Sequence, residues 1–130
     1  MNVAVATPDG YKPDGAVLEF TKGYGDKFAL EIDPFMAASG ADILITDTWT
    51  SMGEEAEKEE RKKIFKDYQI NRQLLAAANA GAMVQHCLPA YRGQEITEEV
   101  FEEHADEIFN EAENRLHAQK AVMVKLMKKD

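Results

Sequence analysis

Apolar residues in this chain fall into short blocks, separated by polar stretches and by glycine or proline. The clearest block is Ala41-Asp42-Ile43-Leu44-Ile45-Thr46, which delivers the chain to Asp47, Thr48 and Trp49. A β-branched run of this length reads as a central strand. A second block approaches through Met83-Val84-Gln85 and ends in His86-Cys87-Leu88-Pro89. Pro89 has no amide hydrogen and restricts Leu88, so the strand stops there. Residues 2–6 form a third block, closed by Thr7-Pro8-Asp9-Gly10. A domain that opens on such a strand with no lead-in suggests that something ahead of Met1 has been removed.

Helical patterns lie between these blocks. Residues 16–20 fit a short helix or a short strand, and residues 28–32 alternate as a strand. Asp33-Pro34 reads as a cap followed by proline at the first helical position, with Gly40 as the stop. Ser51 and Glu54 have the spacing of a capping box. The helix after them runs acid first and base later, the order its dipole favours. A Leu-Leu-Ala-Ala-Ala helix stops near Gly81, and Thr97 caps a helix through Val100 and Phe101. Residues 107–110 read as a last short strand. Residues of about 111–128 form a final helix, with Leu116, Met123 and Met127 near one face. Its apolar end either folds back on the domain or packs against a partner.

Alternating strands and helices predict one α/β domain over residues 1–130. The expected form is a three-layer αβα, Rossmann-like arrangement with a mostly parallel sheet. Imidazole and thiol at the carboxyl end of a strand then sit where open α/β sheets bind ligands.

Composition narrows the classes. The 130 residues carry a formal net charge of -9, which disfavours a nucleic-acid backbone or an anionic membrane surface as partner. An anionic substrate remains compatible, because a few arginines can set the field inside a cleft. The single cysteine excludes a disulfide within the chain and fits a reducing, cytoplasmic compartment. No cofactor motif stands out.

Several side chains offer chemistry. Asp47 either grips an ammonium group or caps the next turn. Trp49 reads as packing, Ser51 as a helix cap and Met52 as an apolar wall. Cys87 has four readings: nucleophile, metal ligand, polar contact or filling. One cysteine beside one histidine does not make a zinc site, and alternation along a strand sends His86 and Cys87 to opposite faces unless the chain twists. His86 either donates to a developing oxyanion or serves as a satisfied core imidazole. Arg115 presents a rigid fork suited to carboxyl or phosphoryl oxygens, with a salt bridge to a nearby glutamate as its alternative. Arg92 faces the same choice.

Three stretches taken together resemble the ornithine carbamoyltransferase family, in its second, amino-acid-binding domain. They are Asp47-Thr48-Trp49-Thr50-Ser51-Met52-Gly53, His86-Cys87-Leu88-Pro89 and Glu113-Asn114-Arg115-Leu116-His117-Ala118-Gln119-Lys120. The resemblance implies transfer of a carbamoyl group from carbamoyl phosphate to ornithine, giving citrulline and phosphate, with no cofactor and no metal. It assigns the substrate's α-amino group to Asp47. Ser51 and Met52 would belong to a closing loop, and Cys87 would lie near the reacting amine. His86, Arg115 and the Leu88 carbonyl would line the carbamoyl end. The family's Ser-x-Arg-Thr phosphate motif is absent from this sequence, and so are the opening strand and helix of the family domain. The resemblance therefore implies an incomplete domain, inactive alone, that needs an N-terminal domain or another copy of the chain. The alternatives are a non-catalytic domain that self-associates and a domain of a sister carbamoyltransferase acting on another amine.

Overall fold

The computed structural model describes residues 1–50 and 55–128. Ser51, Met52 and the Ser51–Glu54 capping box lie outside the described residues.

The elements in chain order are β1 (Val3–Ala6), α1 (Gly15–Thr21), β2 (Phe28–Glu31), α2 (Pro34–Ala38) and β3 (Ile43–Thr46), followed by α3 (Lys58–Ile64), α4 (Arg72–Ala77), β4 (Met83–His86), α5 (Glu98–Glu103) and α6 (Ala105–Met127). Side chains set four of the helix starts. Asp14 Oδ1 accepts from the Ala16 amide at 2.8 Å, and Asp33 Oδ1 accepts from Phe35 with Pro34 in the first turn. Asn71 Oδ1 accepts from Leu74 at 2.9 Å, and Thr97 Oγ1 accepts from Val100 at 3.4 Å. Each cap satisfies an amide that the helix itself leaves unpaired and contributes about 1 kcal/mol.

All strand pairing is parallel, as expected, but it forms two small sheets rather than one. β1 pairs with β2, and β3 pairs with β4. Helix α2 packs on β1, on β2 and on α4, and so ties the pairs together. The core gathers Ala38, Leu44, Ile70, Leu74, Val84, Ile96, Val100, Phe101 and Ile108. Leu44 and Val84 thus turn one face of the β3–β4 pair toward α2, α4, α5 and α6. Their neighbours Ile43, Ile45 and Met83 alternate to the other face and are exposed. The described residues therefore show two parallel strand pairs flanked by helices, and the expected three layers are not complete at β3–β4.

The strand expected over residues 107–110 is instead part of α6, which begins at Ala105. Ala105, Ile108, Glu111 and Ala112 follow helical spacing and, with Glu107, are its more buried positions. Ile108 is fully buried, and Glu107 Oε2 accepts the Val84 amide at 2.9 Å. The first turns of α6 are thereby fixed to β4. From Glu113 to Met127 every residue is exposed. No described helix is long and apolar enough to cross a membrane.

Candidate functional site

The β3–β4 register builds the site. Thr46 stands opposite His86, so Asp47 and Cys87 leave the two carboxyl ends side by side. A carboxylate oxygen of Asp47, a ring nitrogen of His86 and Cys87 Sγ all lie within 4.8 Å of one another. The divergence that strict alternation implies for His86 and Cys87 does not occur, because β4 ends at His86. Leu88 then takes a left-handed φ of 56°, ahead of a cis Leu88–Pro89 bond. A branched side chain rarely adopts that φ, and such strain persists where surrounding contacts hold it.

Burial of Cys87 pushes its thiol above the ordinary value. The hydrogen bond and charge of Asp47, and the charge of Glu111 on α6, push it the same way. At neutral pH the group is a protonated thiol able to donate to Asp47, not an activated nucleophile. Asp47 is exposed, and its Oδ1 also accepts the Thr48 amide at 2.7 Å. An anionic carboxylate beside a neutral thiol, at an accessible rim, suits an ammonium or amine ligand.

His86 is fully buried. Its Nδ1 accepts the Leu88 amide at 3.0 Å, and its Nε2 lies 3.0 Å from Glu95 Oε1. Both ring nitrogens are engaged inside the protein. Glu95 is also fully buried, and its Oε1 accepts the Tyr91 amide at 2.6 Å. Sequence reasoning missed Glu95 among many loop and helix glutamates. No local pattern sets it apart from them, because its burial comes from contact with a histidine nine residues earlier.

Arg115 lies one helical turn beyond Glu111 on α6. The charge of Glu111 reaches Cys87, so Arg115 continues the same helix face outward. It is exposed and has no ion-pair partner among the described residues. Arg92 instead binds Glu102, with its guanidinium 4.0 Å from the centre of the Phe101 ring. Trp49 packs near Phe65, their ring centres 6.1 Å apart. A cavity of about 520 Å³, lined by Trp49, Lys62, Gln69, Asn71 and Gln94 among others, does not include Asp47 or Cys87. With Asp47 exposed, the Asp47–Cys87 corner is an open rim.

Asp47, His86 and Cys87 are close enough to be considered as metal donors. With both His86 nitrogens occupied, two donors remain, fewer than a structural or catalytic zinc site requires.

Comparison with known proteins agrees with this geometry. The family model described as aspartate/ornithine carbamoyltransferase, Asp/Orn binding domain, matches residues 1–126. An ornithine carbamoyltransferase of a Nitratiruptor species is 54% identical over 129 residues, covering 96% of this chain and 42% of the relative. One from Gloeobacter violaceus is also 54% identical, over 98% of this chain and 42% of the relative. The crystal structure of anabolic ornithine carbamoyltransferase from Campylobacter jejuni superposes with a TM-score of 0.90 at 45% identity, over 96% of this chain and 43% of that one. The chain thus spans about two fifths of the length of the relatives it matches.

Proposed function

The chain belongs to the aspartate/ornithine carbamoyltransferase family, and from that premise we propose that it is the ornithine-binding half of a carbamoyltransferase site. The parallel register that sets Asp47 beside Cys87 carries this reading. Asp47 holds the α-amino group of ornithine, and the Cys87 thiol lies near the side-chain amine. The Leu88 carbonyl and Arg115 face the carbamoyl end. Ser51 and Met52, which lie outside the described residues, contact the bound amino acid. In the complete reaction the amine lone pair attacks the carbonyl carbon of carbamoyl phosphate. The carbon–oxygen bond to phosphate breaks, and the amine proton leaves with the phosphate. The protein's work is orientation and charge stabilisation rather than covalent catalysis.

The substrates are ornithine and carbamoyl phosphate. The phosphate cradle comes from a partner domain, since the Ser-x-Arg-Thr pattern does not occur in these 130 residues. The chain alone is therefore inactive. Calorimetric titration of L-ornithine into the chain tests the half-site. Saturable binding that Asp47→Ala abolishes supports it, and absence of binding, or binding indifferent to that change, refutes it. Citrulline formation by the purified chain with both substrates would refute the inactivity.

A second reading rests on the outer half of α6, where Leu126 is 80% and Met127 79% exposed. A non-catalytic domain would use this apolar end to self-associate. Sedimentation showing only monomer at high concentration removes that reading.

A further inference from the structure

Behind the rim, the loop after β4 is tightly held. Gly93 donates its amide to the Ile96 carbonyl at 2.8 Å, which folds residues 93–96 back on themselves. Ile70 donates to the Glu95 carbonyl at 2.8 Å, and Thr97 donates to the Ile70 carbonyl at 3.0 Å. The Glu95 backbone is thus held on both sides, and its carboxylate is driven into the interior, fully buried. There Oε1 meets His86 Nε2 and the Tyr91 amide, while Oε2 has no partner among the described residues.

The hydrogen bonds fix the proton on the His86 ring. A backbone amide can only donate, so Nδ1, which receives the Leu88 N–H, must carry a lone pair. The ring proton is then on Nε2, where it donates to Glu95 Oε1. Without that acceptor, Nε2–H would be buried and unsatisfied, at a cost comparable to a lost hydrogen bond. The other tautomer would become competitive. It would set N–H against N–H at Leu88 and release the residue whose φ of 56° shapes the rim.

We propose that Glu95 is a positioning residue for the ligand rim: it fixes His86 as the Nε2–H tautomer, and His86 in turn pins the Leu88 amide and aims the Leu88 carbonyl. Glu95 acts through His86 and need not touch a ligand. The step from tautomer to ligand rests on the reading of this rim as the ornithine site; the tautomer itself does not.

Long-range proton–nitrogen spectra of the nitrogen-15-labelled chain read the ring directly, with His104→Gln and His117→Gln used for assignment. The expected wild-type pattern is a protonated Nε2 and a lone-pair Nδ1. Glu95→Ala is expected to give mixed tautomers, a displaced Leu88 amide signal and, because the adjoining Cys87 thiol at the amine end shifts with Leu88, ornithine binding weakened about tenfold, the effect of one lost hydrogen bond. Glu95→Gln retains an acceptor oxygen and is expected to restore all three readouts. A wild-type ring protonated on Nδ1, or on both nitrogens at neutral pH, overturns the proposal. So does Glu95→Ala with an unchanged tautomer. If Glu95→Ala does not fold, the wild-type ring and Glu95→Gln still decide. If the wild type binds no ornithine, the functional reading fails while the tautomer result stands on its own.

Discussion

Truncating Ile108 to alanine tests how α6 is joined to the strand that carries the site. Ile108 is fully buried and is the one buried residue of α6. The change removes three carbons, about 2.4 kcal/mol of transfer free energy at ~0.8 kcal/mol each. An unrelaxed cavity adds roughly 1–2 kcal/mol. Alanine's better helix propensity returns a few tenths, about 0.4 kcal/mol. The expected loss is about 3–4 kcal/mol, a large share of the ~5–15 kcal/mol that holds a typical domain together. In urea with a slope of about 1.5 kcal/mol per molar, the midpoint falls by roughly 2 M. Leu126→Ala, at an 80% exposed position on the same helix, is the control and should move stability by no more than ~0.5 kcal/mol. Urea unfolding followed by circular dichroism measures both. Equal effects of the two changes, or a loss at Ile108 below about 1 kcal/mol, would refute the anchoring of α6 through its first turns.

Three further outcomes are expected. Asp47→Asn removes a charge that helps hold the Cys87 thiol up, burial being the larger cause; iodoacetamide should then alkylate Cys87 several-fold faster near neutral pH. Burial alone would raise the Glu107 carboxyl, but its bonds to the Val84 amide and to His104 outweigh that and hold it below the ordinary value. The stability it contributes is present above the ordinary carboxylate value and lost as pH falls through its lowered folded value; Glu107→Gln should flatten that acid limb in pH-dependent urea titrations. Asn71→Ala removes the cap on α4 and should cost about 1 kcal/mol by thermal unfolding, with Asn71→Asp close to neutral.

Much of the site frame was legible in the sequence because strand ends are marked chemically. The apolar run through Ile45 had to stop near Asp47, and Pro89 had to stop the run through Val84. Those two facts place Asp47 and Cys87 at the carboxyl ends of β3 and β4. Caps at Asp33 and Thr97 were legible for the same local reason. Pairing was not: nothing in the composition of residues 2–6 and 41–46 says whether they share one sheet, and here they do not. Residues 107–110 misled because four residues of Glu-Ile-Phe-Asn fit a strand as well as a helix. Only the wider spacing of Ala105, Ile108 and Ala112 distinguishes the two. Glu95 was illegible for a different reason. Its importance comes from burial against a histidine nine residues earlier, a contact that no local pattern encodes.

A crystal structure of the chain with L-ornithine tests the amine-binding corner most directly. The α-amino group should lie within hydrogen-bond distance of the Asp47 carboxylate, and the side-chain nitrogen should point to Cys87 Sγ. Ornithine bound elsewhere, or lying at the rim with its α-amino group turned away from Asp47, would contradict the account.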